Sequence, residues 1–353
     1  MVTADTTLLD VLLQPMLLTE LEGSKLTRVL RQARHAGLLG FIAARIDPGQ
    51  TGGRLADHLL SARIHADYNK QAISWEIDRL ARALKPMAGP VILLKGAAYK
   101  ALDLGLAQGR LASDVDLLVP RQQLDRAEQL LLDAGWSHIK ADEYDQHYYR
   151  EWMHELPPLR HDERGTVVDL HHGILPPTAR VKPDPEKLIC AAMPITNSPF
   201  FSLNREDTVL HRAAHLFYDG DLINATRELV DINELLSSFG KEPQFEQRLV
   251  SRARELELSR PLYYAVHFCT ELLQSVVASR IKSALAPTLP ARRLMLTMMR
   301  SQLRPPDPDH TGAMSKLSAN FLYLRSHWLR MPPLMLARHL LIQIRRRGGI
   351  RSG

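Results

Sequence analysis

Cysteine is almost absent: Cys190 and Cys269 are the only two in 353 residues. That excludes a disulfide framework and a thiolate zinc cluster, and it fits a reducing cytosol. Long apolar runs are missing too. The longest, Met331–Ile344, is interrupted by Arg338 and His339, and a bilayer span needs ~20 residues. Residues 1–30 mix Asp5, Asp10, Glu20 and Glu22 among apolar positions, with no small-residue cleavage site after a continuous apolar run. No secretion signal is therefore expected, and the chain reads as soluble and cytoplasmic. Acids are scarce in one region only. From Leu272 onward, Asp307 and Asp309 stand against 14 Lys/Arg, whereas the preceding 271 residues hold 37 Asp/Glu against 31 Lys/Arg. The net charge of +6 thus belongs to the C-terminal quarter, and general basicity is no argument for nucleic-acid binding. What is present, 45% hydrophobic and 24% charged residues, is the mix of a globular chain long enough for two or three domains.

Residues 1–88 show helical spacing, through Leu26, Val29 and Leu30 and again through Ile73, Ile77, Leu80 and Leu84. Pro48, Gly49, Gly52 and Gly53 divide this segment. The pattern changes at Gly89-Pro90. Val91–Leu94 is a short apolar run that predicts a buried strand, and a helix is expected from Ala97 to about Leu106. Val115–Val119 predicts a second strand, and Leu124–Ala134 an amphipathic helix closed by Gly135. Tyr148–Arg160 alternates enough to contain a strand, which turns at Asp162–Gly165 into Thr166–Leu170 as a hairpin. Helical spacing returns over Val209–Phe217, Ala225–Phe239, Phe245–Leu256 and Pro261–Ile281, with Arg304–His310 as a linker and a basic tail from Lys316. The expected organisation is an N-terminal helical segment (1–88), a mixed α/β core (89–178), a helical domain (200–303) and the tail (316–353).

Three features of the core point to chemistry. A strand runs into Lys95-Gly96 and then a helix, where glycine permits close approach of a phosphate and the lysine adds a point charge. In Ser113-Asp114-Val115-Asp116, the two carboxylates lie two apart on a strand and so share a face. Their repulsion is costly unless a cation sits between them, and hard oxygen ligands suit Mg²⁺. Asp169, in the apolar run Val167-Val168-Asp169-Leu170-His171, is a third acid that completes a two-metal site if its strand lies beside the first.

The order LLKG, helix, SDVDLLV, helix, hairpin, VVDLHHGI resembles the nucleotidyltransferase superfamily typified by polymerase beta and kanamycin nucleotidyltransferase. It is more closely similar to the bacterial "uncharacterised nucleotidyltransferase" family, often encoded near exopolysaccharide or peptide natural-product genes. The likeness spans about residues 90–240 and includes His211, His215 and the run Leu229–Ile232. It implies an α+β fold, with a small mixed-sheet nucleotidyltransferase core between N- and C-terminal helical parts. It also implies transfer of a nucleoside monophosphate from an NTP, ATP on frequency alone, to an acceptor hydroxyl with release of pyrophosphate. Asp114, Asp116 and Asp169 then hold Mg²⁺ or Mn²⁺ and carry catalysis. Lys95, Gly96, Arg110 and Ser113 take the nucleotide, and His171 is a candidate for the acceptor site. The wider superfamily commonly follows the glycine with serine or glycine; here Ala97 supplies no hydroxyl, leaving Lys95 as the substitute.

Blander readings stand beside these. Asp169 also fits an ion pair with Arg110 or Arg160, and Arg110 fits a partner for Asp114 as well as a phosphate clamp. His211 and His215 share a helical face but lack a third ligand, so packed histidines are expected, with His172 structural and Asp231 tying two helices together. A non-catalytic nucleotide-sensing or partner-binding module, or a toxin-type transferase acting on RNA or protein, is the alternative function. The tail, with eight Lys/Arg and no acid from Lys316 onward, fits an anionic membrane surface, a nucleic-acid backbone, or a core-packing helix broken at Pro332-Pro333.

Overall fold

The computed structural model describes residues 7–139, 143–218, 225–285, 292–305, 312–333 and 336. Its centre is one seven-stranded mixed sheet. The strands are β1 (Ile92–Leu93), β2 (Asp114–Leu118), β3 (Trp136–His138), β4 (Leu159–His161), β5 (Val167–His171), β6 (Met193–Pro194) and β7 (Phe201–Ser202), in the spatial order β3-β4-β5-β2-β1-β7-β6. β2 and β5, the two acid-bearing strands, are adjacent and parallel, with Asp116 level with Asp169. β4 and β5 form the expected antiparallel hairpin.

Helices lie on either side of the sheet in sequence. The longest, Gly53–Ala83, follows the glycine-rich break at 48–53. Its Asn69 is a clamp on the start of β2: the amide donates to Ala112 O at 2.9 Å and accepts from Ala112 N at 2.9 Å and from Lys100 Nζ at 2.7 Å. Buried Glu76 on the same helix forms a two-pronged pair with Arg164 in the β4–β5 turn. One hydrophobic core runs from Leu8 through the strands to Leu322, joining the N-terminal helices, the sheet and the helical C-terminal part.

Several elements differ from expectation. The segment Tyr148–Arg160 holds its strand only at its end, as β4, and begins inside the helix Glu143–Trp152. Its aromatic residues favour strands in isolation. Tyr148 and Trp152, however, stand four apart and meet edge-to-face at 5.8 Å, a helical contact. The helix after β1 starts at Lys95 and ends at Ala101, because Asp103 turns left-handed (φ 46°) before a 3-10 turn over Gly105–Ala107. The Pro261–Ile281 helix is two helices, Ser259–Leu273 and Val276–Leu285, parted by left-handed Gln274 (φ 50°). The tail begins as the helix Ala313–Arg330. The rest of the tail, apart from residues 331–333 and 336, and most of the expected linker (306–310) lie outside the described residues.

Candidate active site

β2 and β5 rise side by side, and Asp114, Asp116, Asp169 and His171 sit at alternate positions on the two strands. In a pleated sheet that alternation places all four side chains on one face. Asp116 is the hub. Its Oδ1 accepts from Lys95 Nζ at 2.6 Å and from His171 Nε2 at 3.0 Å, with Asp116 and His171 each only 2% exposed. Lys95 reaches it from a left-handed backbone (φ 45°) at the junction of β1 and the following helix. That conformation costs a non-glycine residue roughly 1–2 kcal/mol, so the surrounding contacts over-determine it.

The electrostatics follow from burial and from this clustering. Burial alone would raise the Asp116 carboxyl, but Lys95 and His171 hold it well below the usual carboxylate range. Burial opposes charge on Lys95 and on His171, yet Asp116 keeps the ammonium charged beyond its ordinary range and, with Glu155, raises the imidazole. Asp114 is pushed up by burial and by the Asp116 charge. Asp169 is pushed up to about 7, first by burial and then by Asp116 and Glu155, and its Oδ1 is buried with no hydrogen-bond partner among the described residues. Asp169 is therefore not the ion-pair partner of Arg110 or Arg160.

Arg110 does not pair with Asp114. It is buried and its guanidinium is committed to Asp231, with Nη2–Oδ2 at 3.1 Å, rather than to Asp114. Asp231 accepts in addition from Arg212 Nη2 at 2.9 Å, and Arg212 pairs with Glu228, which accepts from His215 at 3.0 Å. Asp231 thus ties its helix, Ala225–Phe239, to Arg205–Tyr218 and to the loop before β2. Gly96 belongs to the same junction: a Cβ there would stand 2.5 Å from Arg110 Nη1 and 3.0 Å from the Ala112 Cβ. Ser113 is exposed at the start of β2 beside Asp114. His172 is structural, hydrogen-bonded at the Met153 carbonyl and lowered to about 4 by burial and by Arg121.

A family model described as "Uncharacterised nucleotidyltransferase" matches residues 22–274, most of the chain. The chain belongs to that family. It is a nucleotidyltransferase, and its donor substrate is a nucleoside triphosphate. No curated protein and no solved structure matches it.

In this nucleotidyltransferase a cavity of about 270 Å³ opens beside the carboxylate face, lined by Lys95, Tyr148, His154, Glu155, His171 and His211 among others. Burial holds the His154 and His211 imidazoles well below their usual range and therefore neutral. His211 and His215 gather no third metal ligand among the described residues. Two participants, His154 and Glu155, are not apparent from the sequence. They precede Pro157-Pro158, which hides the fact that this segment pairs with the end of β5 through the Glu155–His171 bridge.

Proposed function

We propose that this site transfers a nucleoside monophosphate from ATP to an acceptor hydroxyl, with Asp114, Asp116 and Asp169 holding Mg²⁺ or Mn²⁺. The observation that carries the reading is the parallel register that sets Asp169 level with Asp116, beside Asp114. The donor set fits the ions: three hard oxygens, one of them the unpartnered buried Oδ1 of Asp169, with two carboxyls that resist ionisation until a cation is near. Both bonds to Asp116 fall on Oδ1 and leave Oδ2 open. Bound there, the metal supplies charge neutralisation at the triphosphate and lowers the pKa of the attacking hydroxyl.

The chain's own groups do the rest. Asp169, as a carboxylate, takes the acceptor proton as the acceptor oxygen attacks the α-phosphorus in line. The bond from the α-phosphorus to the bridging oxygen of the β-phosphate breaks, and pyrophosphate leaves with the electron pair. Lys95 shifts its ammonium between Asp116 and the incoming phosphates, and Ser113, at the exposed start of β2, contacts the nucleotide. The cavity beside His171 receives the acceptor. Arg110 and Gly96 hold the β1–helix junction rather than the phosphates. ATP labelled at the α-phosphate, incubated with the protein and a metabolite and protein extract, should pass label to an acceptor, and Asp169→Asn should abolish it. Transfer of label from the γ-phosphate instead would overturn the reading.

The Ala313–Arg330 helix carries an exposed apolar stripe at heptad-like spacing: Met314, Leu317, Phe321, Leu324 and Trp328. No acid occurs from Ala313 to the end of the sequence given. No helix of the described residues is long and apolar enough to cross a membrane. We infer that the stripe and its basic surroundings seat the protein on an anionic membrane surface. Vesicles containing phosphatidylserine should retain the protein and lose it on Leu317→Glu/Leu324→Glu. Retention by RNA but not by vesicles would contradict this.

A further inference from the structure

His154, Glu155 and His171 each offer a ligand atom within 4.8 Å of the others. They arrive there by backbone pairing. The Leu156 N–H donates to Leu170 O at 2.8 Å and the His172 N–H to His154 O at 2.8 Å, so residues 154–156 run as an extension beside the end of β5. Two features of the cluster call for a ligand. The Nδ1 atoms of His154 and His171 are both buried and neither has a hydrogen-bond partner among the described residues. The nearest group to His171 Nδ1 is Glu155 Oε2 at 3.3 Å, out of line for a hydrogen bond. Leaving a buried polar atom unsatisfied costs about 1–3 kcal/mol, a cost that a shared ligand on this wall would remove. Meanwhile the other ring nitrogen of His171, Nε2, is bound to the Asp116 carboxylate at 3.0 Å. A carboxylate on one imidazole nitrogen fixes the ring and leaves the opposite lone pair for a metal, which is how metal-binding histidines are commonly oriented.

We propose that His154, Glu155 and His171 form a second metal site, taking a first-row transition ion of the Zn²⁺ class and facing the cavity. Two imidazoles and one carboxylate are N/O donors suited to Zn²⁺, and poorly suited to Mg²⁺, which prefers oxygen alone. Three protein ligands leave a fourth position open toward the cavity, where a water or an oxygen of the acceptor binds. Ideal tetrahedral ligands at ~2.0–2.2 Å stand closer together than 4.8 Å, so the three side chains draw in when the ion binds. The site shares no ligand with Asp114, Asp116 and Asp169; it is hydrogen-bonded to them through His171 and Asp116, and Glu155 is close enough to Asp169 to raise its carboxyl. It therefore stands whether or not those acids act on a triphosphate.

Purified protein stripped with chelator is titrated with Zn²⁺ calorimetrically in millimolar Mg²⁺, and with Co²⁺ by visible absorption. The expected result is one equivalent of Zn²⁺ bound despite the Mg²⁺, with intense ligand-field bands from Co²⁺. His154→Ala and Glu155→Gln should each weaken Zn²⁺ by at least roughly 10- to 100-fold, and Asp114→Asn should leave it unchanged. Glu155 is partly exposed, so Glu155→Gln gives a folded comparison if His154→Ala does not, and circular dichroism checks both. No stoichiometric Zn²⁺ binding by the wild type would overturn the proposal. So would equal affinity in folded His154→Ala and Glu155→Gln, or loss of Zn²⁺ in Asp114→Asn.

Discussion

Asp116 and Asp169 lie level with each other on neighbouring strands, yet substitution should move stability in opposite directions. Asp116 compensates a lysine and a histidine at once in a buried place, so Asp116→Asn leaves Lys95 without its counter-charge. Breaking a buried pair from one side costs about 3–5 kcal/mol, and urea unfolding should register that loss. Asp116→Asn therefore disturbs the fold as well as the site. Asp169 behaves otherwise. Its folded carboxyl is raised to about 7 from an ordinary value near 4, so the folded state holds the extra proton between those limits. Stability of the metal-free protein should then fall as pH rises from about 4 to 7, and Asp169→Asn should remove that fall. At pH 8 in EDTA the variant should be more stable than the wild type by about 1–3 kcal/mol while inactive in transfer. Thermal melts across pH 5–8 check the sign; a wild type that gains stability over that range through Asp169 would contradict it.

At the scale of elements, the start of β2 is held from outside the sheet. Asn69→Ala would orphan the Ala112 N–H and C=O and leave buried Lys100 without its acceptor. A loss of about 2–4 kcal/mol is expected from these groups together. The Asp114 side chain would lose its fixed place, so nucleotide affinity should drop with stability even though Asn69 touches no ligand. Gly96→Ala should also destabilise, by about 1–3 kcal/mol. The Arg110 guanidinium that an added methyl would meet is tied into the Asp231 network and cannot swing away. A Gly96→Ala protein of wild-type stability would show that this junction is looser than its contacts imply.

The same elements show what is legible in the sequence. The short apolar runs Val115–Val119 and Thr166–Leu170 locate both acid-bearing strands, and the hairpin turn at 162–165 places the partner of the second. The common face of Asp114 and Asp116 needs only the two-residue period. The parallel register that aligns Asp169 with Asp116 depends on the crossover between them, which no local pattern states. The Glu143–Trp152 helix was masked by aromatic residues whose strand preference yields to four-residue packing. The partners of Arg110 and Arg212 were hidden because Asp231 lies 121 and 19 residues away from them. The signal available was weak: single charges inside the apolar runs Val209–Phe217 and Leu229–Ile232.

For the whole molecule, the family shows a nucleotidyltransferase, and the sheet brings three acids together next to Lys95 and His171, which line a cavity shared with His211 and Arg330 of the C-terminal helices. As proposed, the three acids bind a metal–triphosphate. Calorimetric titration of ATP tests it most directly, with Mg²⁺ and with EDTA, on the wild type and on Asp114→Asn. Asp114 is preferred to Asp116 because no ion pair is lost with it among the described residues. Binding should need Mg²⁺ and disappear in folded Asp114→Asn. ATP bound equally well in EDTA, or undiminished in Asp114→Asn, would contradict it.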